Sequence, residues 1–361
     1  MKRYLIYILL ELSLLIGLAS CNHKDLCYDH RDHAHKHHIN IIADYRYDWE
    51  ENYGGTDWKT SWPSHYLSYD ALRPAKPIGL RVVNFKEGLG SNTHNIGSDG
   101  GVVTLYEGSN DVLVYNNDTE YIVFNRSEDG NGATTRATTR TRTRSTYLGS
   151  EYAHPDEETM TAPDMLFANY LADFQVEKTS RPIDVEVTLQ PLVFTYKIRY
   201  EFESGLKYVA LARGALSGMA RSVMMNTGVT SDESATILFD CDVVGKNDND
   251  LKAEASGGLY GARAIVKSFG VPSYPNVNYP SSQSPSRTSP RHALNLELLL
   301  TNGNMITLDY DVTDQLLAQP HGGVIVVKGI TISPEDGTQG PGTFDVEVND
   351  WGDYEDIVLP L

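Results

Sequence analysis

The densest concentration of ligand chemistry in the chain lies near its N-terminus, in KDLCYDHRDHAHKHH (residues 24–38). His23, His30, His33, His35, His37 and His38, six of the eleven histidines, fall within or beside it. On an extended chain His33, His35 and His37 point the same way, and imidazole is a good ligand for Zn, Ni or Cu. Asp29 and Asp32 could add oxygen ligands. A specific site also needs fixed geometry and supporting hydrogen bonds behind its ligands, and this stretch reads as a polar tether. The expectation is weak, nonspecific metal binding, with no metal or other cofactor required. Other chemistry is harder to find. The string nearest to a nucleophile elbow, Gly214-Ala215-Leu216-Ser217-Gly218, has the wrong spacing around its serine. There is no phosphate loop, no HExxH and no G-x-G-x-x-G after a strand. Asp248-Asn249-Asp250 begins like a calcium loop but lacks the glycine and the bidentate glutamate that complete one. With 48 acidic residues some carboxylate pair always looks plausible, so none is informative. The reading is of a protein that is not an enzyme.

The elements before the histidines give the tether its meaning. Lys2 and Arg3 precede an apolar stretch, Tyr4 to Leu18, broken only by Glu11, and small residues then lead to Cys21: the pattern of a secretory signal. Leu18-Ala19-Ser20-Cys21 resembles the bacterial lipobox. That resemblance implies cleavage before Cys21, acylation there, and an outer-membrane lipid as the partner of the mature N-terminus. Residues 1–20 are thus expected to be a lipoprotein signal peptide and residues 21–36 a lipidated, His-rich tether. Removal of residues 1–20 takes away a net +1, so the formal charge of −18 becomes −19. Such acidity argues against nucleic-acid binding. Cys27 and Cys241 could oxidise to a disulfide in an exported protein, but free thiols are the simpler expectation.

Twenty-two tyrosines and 30 glycines, with abundant Val, Ile and Thr, point to a β-rich body. From His37 the pattern alternates, with Ile39, Ile41, Ala43, Tyr45 and Tyr47 on one face. Short runs follow at Ile78–Phe85, Val102–Tyr106, Val112–Tyr115 and Tyr121–Phe124. A second series comprises Ile183–Leu189, Leu192–Phe202, Leu206–Ala212, Ala235–Val244, Gly261–Phe269, Ala293–Leu300, Met305–Tyr310, Val324–Ile332, Phe344–Val348 and Ile357–Leu359. Val312–Gln319 reads as one or two helical turns with Asp311 or Thr313 as cap. Asn116-Asn117-Asp118 is expected to turn a hairpin, and LSGMA (216–220) a tight turn. TAPDMLFANYLADF (161–174) reads as a linker. Residues 128–146, rich in Thr and Arg, read as a mobile, solvated loop, with Arg136, Arg140, Arg142 and Arg144 open to an arginine-specific protease.

Several separated strings resemble one family. KDLCYDH, YNNDTEYIVF (115–124), APDMLFA (162–168), LKYVALARGALSGMA (206–220), DYDVTDQL (309–316) and the closing FDVEVNDWGDYEDIVLPL are similar to Bacteroidales outer-membrane lipoproteins. Those proteins carry domains of unknown function and are related to the anchor and fimbrillin-like subunits of type V pili. The resemblance implies two tandem transthyretin-like β-sandwich domains, here 37–175 and 176–361. It implies a lipid-anchored, surface-exposed structural role as anchor or accessory subunit of a type V-like fimbria. Its partners would be other fimbrial subunits, bound by β-strand exchange. The alternative is a glycan-binding surface lipoprotein beside an outer-membrane uptake system, with Trp49, Trp58 and Trp62 as a stacking platform.

Overall fold

Alternation of apolar and polar side chains sets most of the architecture, because each strand must turn one face toward a core. The structure, a computed structural model, describes residues 35–47, 73–129, 132–153, 157–179, 181–245, 260–274, 291–338 and 355–357. β1 (Lys36–Tyr45) buries Ile39, Ile41 and Tyr45, the face that alternation assigned to it, and Tyr47 just beyond is also buried. It pairs in parallel with β11 (Ile183–Pro191), matching Ile39 to Ile183 and Tyr45 to Leu189. β2 (Gly79–Lys86), β3 (Gly90–Gly97), β4 (Gly100–Tyr106), β5 (Gly108–Asn116) and β10 (Phe167–Val176) complete a closed barrel in the order β1-β11-β10-β5-β2-β3-β4. Ile39, Ile41, Leu80, Val82, Val103, Leu105, Val112, Val114, Phe167, Val187 and Leu189 belong to its core. The Phe167 ring meets Tyr45 and Tyr47 edge-on, with centroids 5.5 and 5.4 Å away. At the seam, Ala43 N–H donates to Asp99 O. Gly100 sits there at φ +112, and a Cβ on it would lie 1.9 Å from Ile41 O, so only glycine lets the barrel close this tightly. β10 corrects the linker expected over 161–174: it is an interior barrel strand, bonded to β5 and β11.

The second unit is a sandwich. β12 (Phe194–Ser204), β13 (Val209–Ala220), β15 (Ser234–Val244), β16 (Gly261–Ser268), β17 (Ala293–Leu300), β18 (Met305–Asp311) and β19 (Gly323–Thr331) run in the order β18-β17-β13-β15-β16-β12-β19. The eleven-residue β15 turns the corner: Ser234 to Cys241 pair with β13, and Asp242 to Val244 pair with β16. The two layers thereby face each other across one core. Tyr196, Ile198, Tyr200 and Phe202 of β12 meet Leu294, Leu296, Leu298 and Leu300 of β17 in it. Tyr200 Oη crosses the core to donate to Asn295 O at 3.0 Å. Helix α1 (Thr313–Ala318) inserts Leu316 into this core; its N-cap is Val312 and not the expected Asp311 or Thr313, although Asp311 Oδ1 accepts the Thr313 N–H. A second helix, α2 (Pro334–Thr338), follows β19.

A small sheet lies between the units. β6 (Ile122–Asp129) pairs with β7 (Gly132–Thr139), which pairs with β14 (Ser222–Met224). Its residues Ile122, Ala137 and Val223 share a core with Val83, Leu113 and Tyr115 of the barrel and with Ala220 and Phe269 of the sandwich. The expected 116–118 hairpin is therefore corrected, since β5 and β6 belong to different sheets. The expected division at 175/176 also shifts: β11 lies beyond it yet is a barrel strand. The all-β class is as expected, with the first unit closed into a barrel.

LSGMA makes no turn. It continues β13 through a bulge between Leu216 and Met219, where Gly218 adopts φ +80. A Cβ on Gly218 would come within 2.3 Å of Arg291 O and 2.8 Å of His292 Nδ1. His292 is fully enclosed there, and burial lowers its imidazole to about 4 from 6.5. Because the unfolded state then binds the proton more tightly, stability should be complete above pH 6.5 and fall as pH drops toward 4. The loss attributable to this group should reach about 3 kcal/mol. Urea unfolding across that window should show the slope, and His292→Asn should flatten it; an unchanged slope in the variant would refute the assignment.

Candidate functional site

Residues 140–153 and 157–161 run from the small sheet onto the sandwich, over the outward side of its β13–β15–β17 layer. That side carries Arg213, Ala215 and Ser217 of β13, Thr236 of β15, and Asn295 and Glu297 of β17, all buried. Outward residues of a surface sheet are normally solvated; these are buried because the connecting segment covers them. Glu297 is the centre. Its Oε2 accepts Arg213 Nε at 3.0 Å and the Thr146 hydroxyl at 2.9 Å, with Arg144 Nε at 3.5 Å. Arg144 also donates to Gly214 O at 3.2 Å. A second knot forms beside it: Thr236 Oγ1 and Gly218 N–H donate to Glu157 Oε2, and Thr236 also reaches Ser217, which bonds Tyr147 Oη. Burial pushes the Tyr147 phenol above its usual range. Ser150 closes the path by donating to Asp309 of β18 at 2.6 Å.

The segment also lends strands to the sandwich. β8 (Thr141–Thr143) and β9 (Glu158–Thr161) flank this crossing, and β9 pairs in parallel with the first half of β15, placing Met160 in the sandwich core. β8 pairs with β9 and, on its other side, with β20 (Glu355–Ile357) near the C-terminus. The edge of this layer is thus assembled from three short strands drawn from two distant places in the chain. The mobile loop expected over 128–146 is corrected accordingly. Thr135, Ala137 and Thr139 alternate inward along β7, and Arg144 is buried. Small β-branched side chains supply the buried face that a search for large apolar residues misses. Arg140 lies over the Tyr121 ring at 5.7 Å.

Two of the family-like strings meet in space. Asn116 Nδ2 donates to Met165 O and Asp118 Oδ1, while Asn116 Oδ1 accepts Phe167 N–H at 2.7 Å. Asp118 Oδ2 accepts Ile78 N–H, and Asp164 Oδ2 accepts the N–H groups of Glu120 and Tyr121. NNDTE and APDM thus clasp the crossing between barrel and small sheet. Each carboxylate or carboxamide satisfies backbone groups that no ladder reaches.

Of the residues singled out for chemistry, Cys21, Cys27, His33, Trp49, Trp58 and Trp62 lie outside the described residues, as do the strand expected at 344–348 and Trp351. His35 is exposed ahead of β1. His37 is held by Thr179 O at 3.0 Å through Nδ1 and by Glu107 Oε2 at 3.2 Å through Nε2, so both ring nitrogens are engaged by the barrel. Among the described residues no group of three His, Cys, Asp or Glu side chains is placed to hold a metal ion. Cys241 is a free thiol whose pKa burial raises. Among the described residues no helix is long and apolar enough to cross a membrane. Sequence reasoning misses the buried Glu297 cluster: Arg213 and Glu297 sit singly in apolar strands, and Arg144 stands among the arginines of a Thr/Arg run that reads as solvated.

Removing Glu297 leaves Arg144 and Arg213 buried without their counter-charge. Glu297→Leu should lower unfolding stability by about 3–5 kcal/mol. Adding Arg213→Met should recover part of that loss in the same urea titration. A single variant as stable as wild type would show the cluster to be incidental. An arginine-specific protease should cut the native protein at Arg136, Arg140, Arg142 and Arg144 far more slowly than the urea-unfolded chain, read by mass spectrometry of the fragments.

Residues 70–240, from ahead of β2 into β15, match the family described as Domain of unknown function (DUF5119). No curated protein matches the sequence. Among solved structures, a candidate adhesin from Bacteroides ovatus shares 19% identity, covering 85% of this chain and 93% of its own at a TM-score of 0.52. Polysaccharide-binding candidates from Bacteroides thetaiotaomicron share 9% over 80% of this chain and 90% of theirs at 0.42. The fimbrial anchor protein Mfa2 from Porphyromonas gingivalis shares 11% over 80% and 90% at 0.40. A domain family of unknown function is thus matched from 70 to 240, and the all-β fold is shared with the Bacteroides ovatus structure, as the resemblance read from the sequence implies.

Proposed function

We propose that the chain is a cell-surface lipoprotein, held at the outer membrane through Cys21, that serves a fimbria as a structural anchor or accessory subunit. The observation that carries this reading is the composite edge beyond β15. There β9, β8 and β20 complete a layer by backbone pairing between segments far apart in sequence. Strand addition of this kind is also how one chain completes the sheet of another. The adhesin description of the Bacteroides ovatus relative and the Leu18–Cys21 string support the same reading. The mature body from 37 onward supplies protein–protein surfaces through its barrel and sandwich, and the tether at 21–36 supplies reach from the membrane.

The test has two arms. Cys21→Ala should move the protein from the membrane fraction to the soluble one. Cross-linking and purification of the wild-type protein from outer membranes should recover fimbrial subunits in stoichiometric amounts. A deletion strain with unchanged fimbriae and unchanged attachment, together with a purification free of such subunits, would sink the proposal.

A further inference from the structure

Among the described residues β19 is the last strand on its side of the sandwich, bonded to β12 on its inner edge. Its sequence, GVIVVKGIT, places four β-branched residues in a row, Val324 to Val327. A strand of that composition with an open edge is a template for pairing with another chain. The edge is not open. Gln319 Oε1 accepts Val324 N–H at 2.8 Å and Gln319 Nε2 donates to Val324 O at 2.9 Å. Gln315 Oε1 accepts Val326 N–H at 2.9 Å and Gln315 Nε2 donates to Val326 O at 3.0 Å. Each carboxamide offers one acceptor and one donor side by side, as a residue of a neighbouring strand would.

The spacing is matched by geometry. Residues four apart on a helix rise about 6 Å, and alternate residues on a strand advance about 6.6 Å. Gln315 and Gln319 of the helical turn therefore stand in register with Val326 and Val324, with the helix running against the strand. Leu316, between them, is buried in the sandwich core and anchors the turn, and Asp311 Oδ1 accepts the Thr313 N–H at its start. Past the reach of the two amides, the exposed Lys328 and the left-handed Gly329 (φ +80) interrupt the edge with a charge and a kink.

We infer that α1 is a built-in edge guard: Gln315 and Gln319 occupy the hydrogen-bonding positions of the next strand on β19 and keep that edge from pairing with the same edge of a second copy. A second copy is the occupant the sequence fits. An antiparallel pair of β19 edges centred on Ile325 would match Val324 of each chain with Val326 of the other, a twofold arrangement that closes on itself. In that register Lys328 falls opposite Gly322 rather than opposite its own counterpart, so no like charges meet. The net charge of −18 opposes the approach of two copies, so any association released should strengthen with salt.

The experiment uses the full mature protein with Gln315→Ala, Gln319→Ala and the double substitution. Amide hydrogen exchange should accelerate roughly five- to tenfold at Val326 in the first variant and at Val324 in the second. Exchange along β12 should stay unchanged in both. In sedimentation velocity the double variant should form dimers, more at high salt, and adding Val326→Pro should return it to monomer, because an outward-facing edge N–H tolerates proline without loss to β12. Unchanged exchange at both valines would overturn the inference. So would a double variant that exchanges faster but stays monomeric at all salt concentrations, or one whose oligomers survive Val326→Pro.

Discussion

A carboxylate with no access to water holds the sandwich and its connecting segment together. Glu297 projects from the outward face of β17, where a glutamate would ordinarily be solvated, and is instead fully buried between Arg213 and Arg144. Burying such charges is costly unless each keeps a counter-charge close by. That condition fixes the path of the chain from 140 to 161. Arg144 must reach β17, Thr146 must reach both Glu297 and Arg213, and the next residues must lie flat on the layer. Once the segment is held there, β8 and β9 fall naturally at the open side of β15. The ion cluster thereby decides where the sheet ends.

The apolar junction depends on the same route. Ala137, Ile122 and Val223 fill the space between barrel and sandwich only because β7 is followed by a segment tied down at Arg144. Small side chains are needed here. Thr135, Ala137 and Thr139 let β7 lie close between two larger bodies, and Thr138 Oγ1 donates to Arg221 O across β14. A stretch that looks compositionally simple is therefore a close-packed spacer, with its arginines outside or engaged and its threonines inside.

Strands with strong alternation or continuous apolar runs were legible in the sequence. β1, β2, β5, β11, β12, β15, β16, β17 and β19 coincide with runs of Val, Ile, Leu and aromatic residues, because those positions face a core on at least one side. The strands that escaped are of two kinds. β3 (GSNTHNIG) is polar with no buried residue, and β7 is built of small residues whose burial comes from what covers them, which no local pattern records. β10 reads as a linker in the sequence; just ahead of it Asp164 holds the N–H groups of Glu120 and Tyr121, and the chain then continues as a barrel strand. The clasp made by Asn116, Asp118 and Asp164 shows why the family-like strings stand out. They are polar residues fixed by backbone groups of other segments, so their identity is set by geometry that neighbours in sequence do not reveal.

The sandwich treats its two kinds of edge in opposite ways, and that contrast bears on function. Beside β15, edge positions are filled by real strands, which give backbone pairing but come from segments that must first be brought from elsewhere in the chain. Beside β19, the same positions are filled by two side chains of an adjacent helical turn, separated from the strand by only Pro320, His321 and Gly322 after Gln319. A local cover forms as soon as the turn forms, because closing so short a loop costs little entropy. A remote strand arrives late, because long loop closure precedes its reward. The cover on β19 therefore needs only its own turn, whereas the cover on β15 needs segments from 141–161 and 355–357. Val324–Val327, four β-branched residues in a row, thus has its outer edge covered by the segment nearest to it in sequence, so the cover and the strand it protects are made by one short stretch of chain.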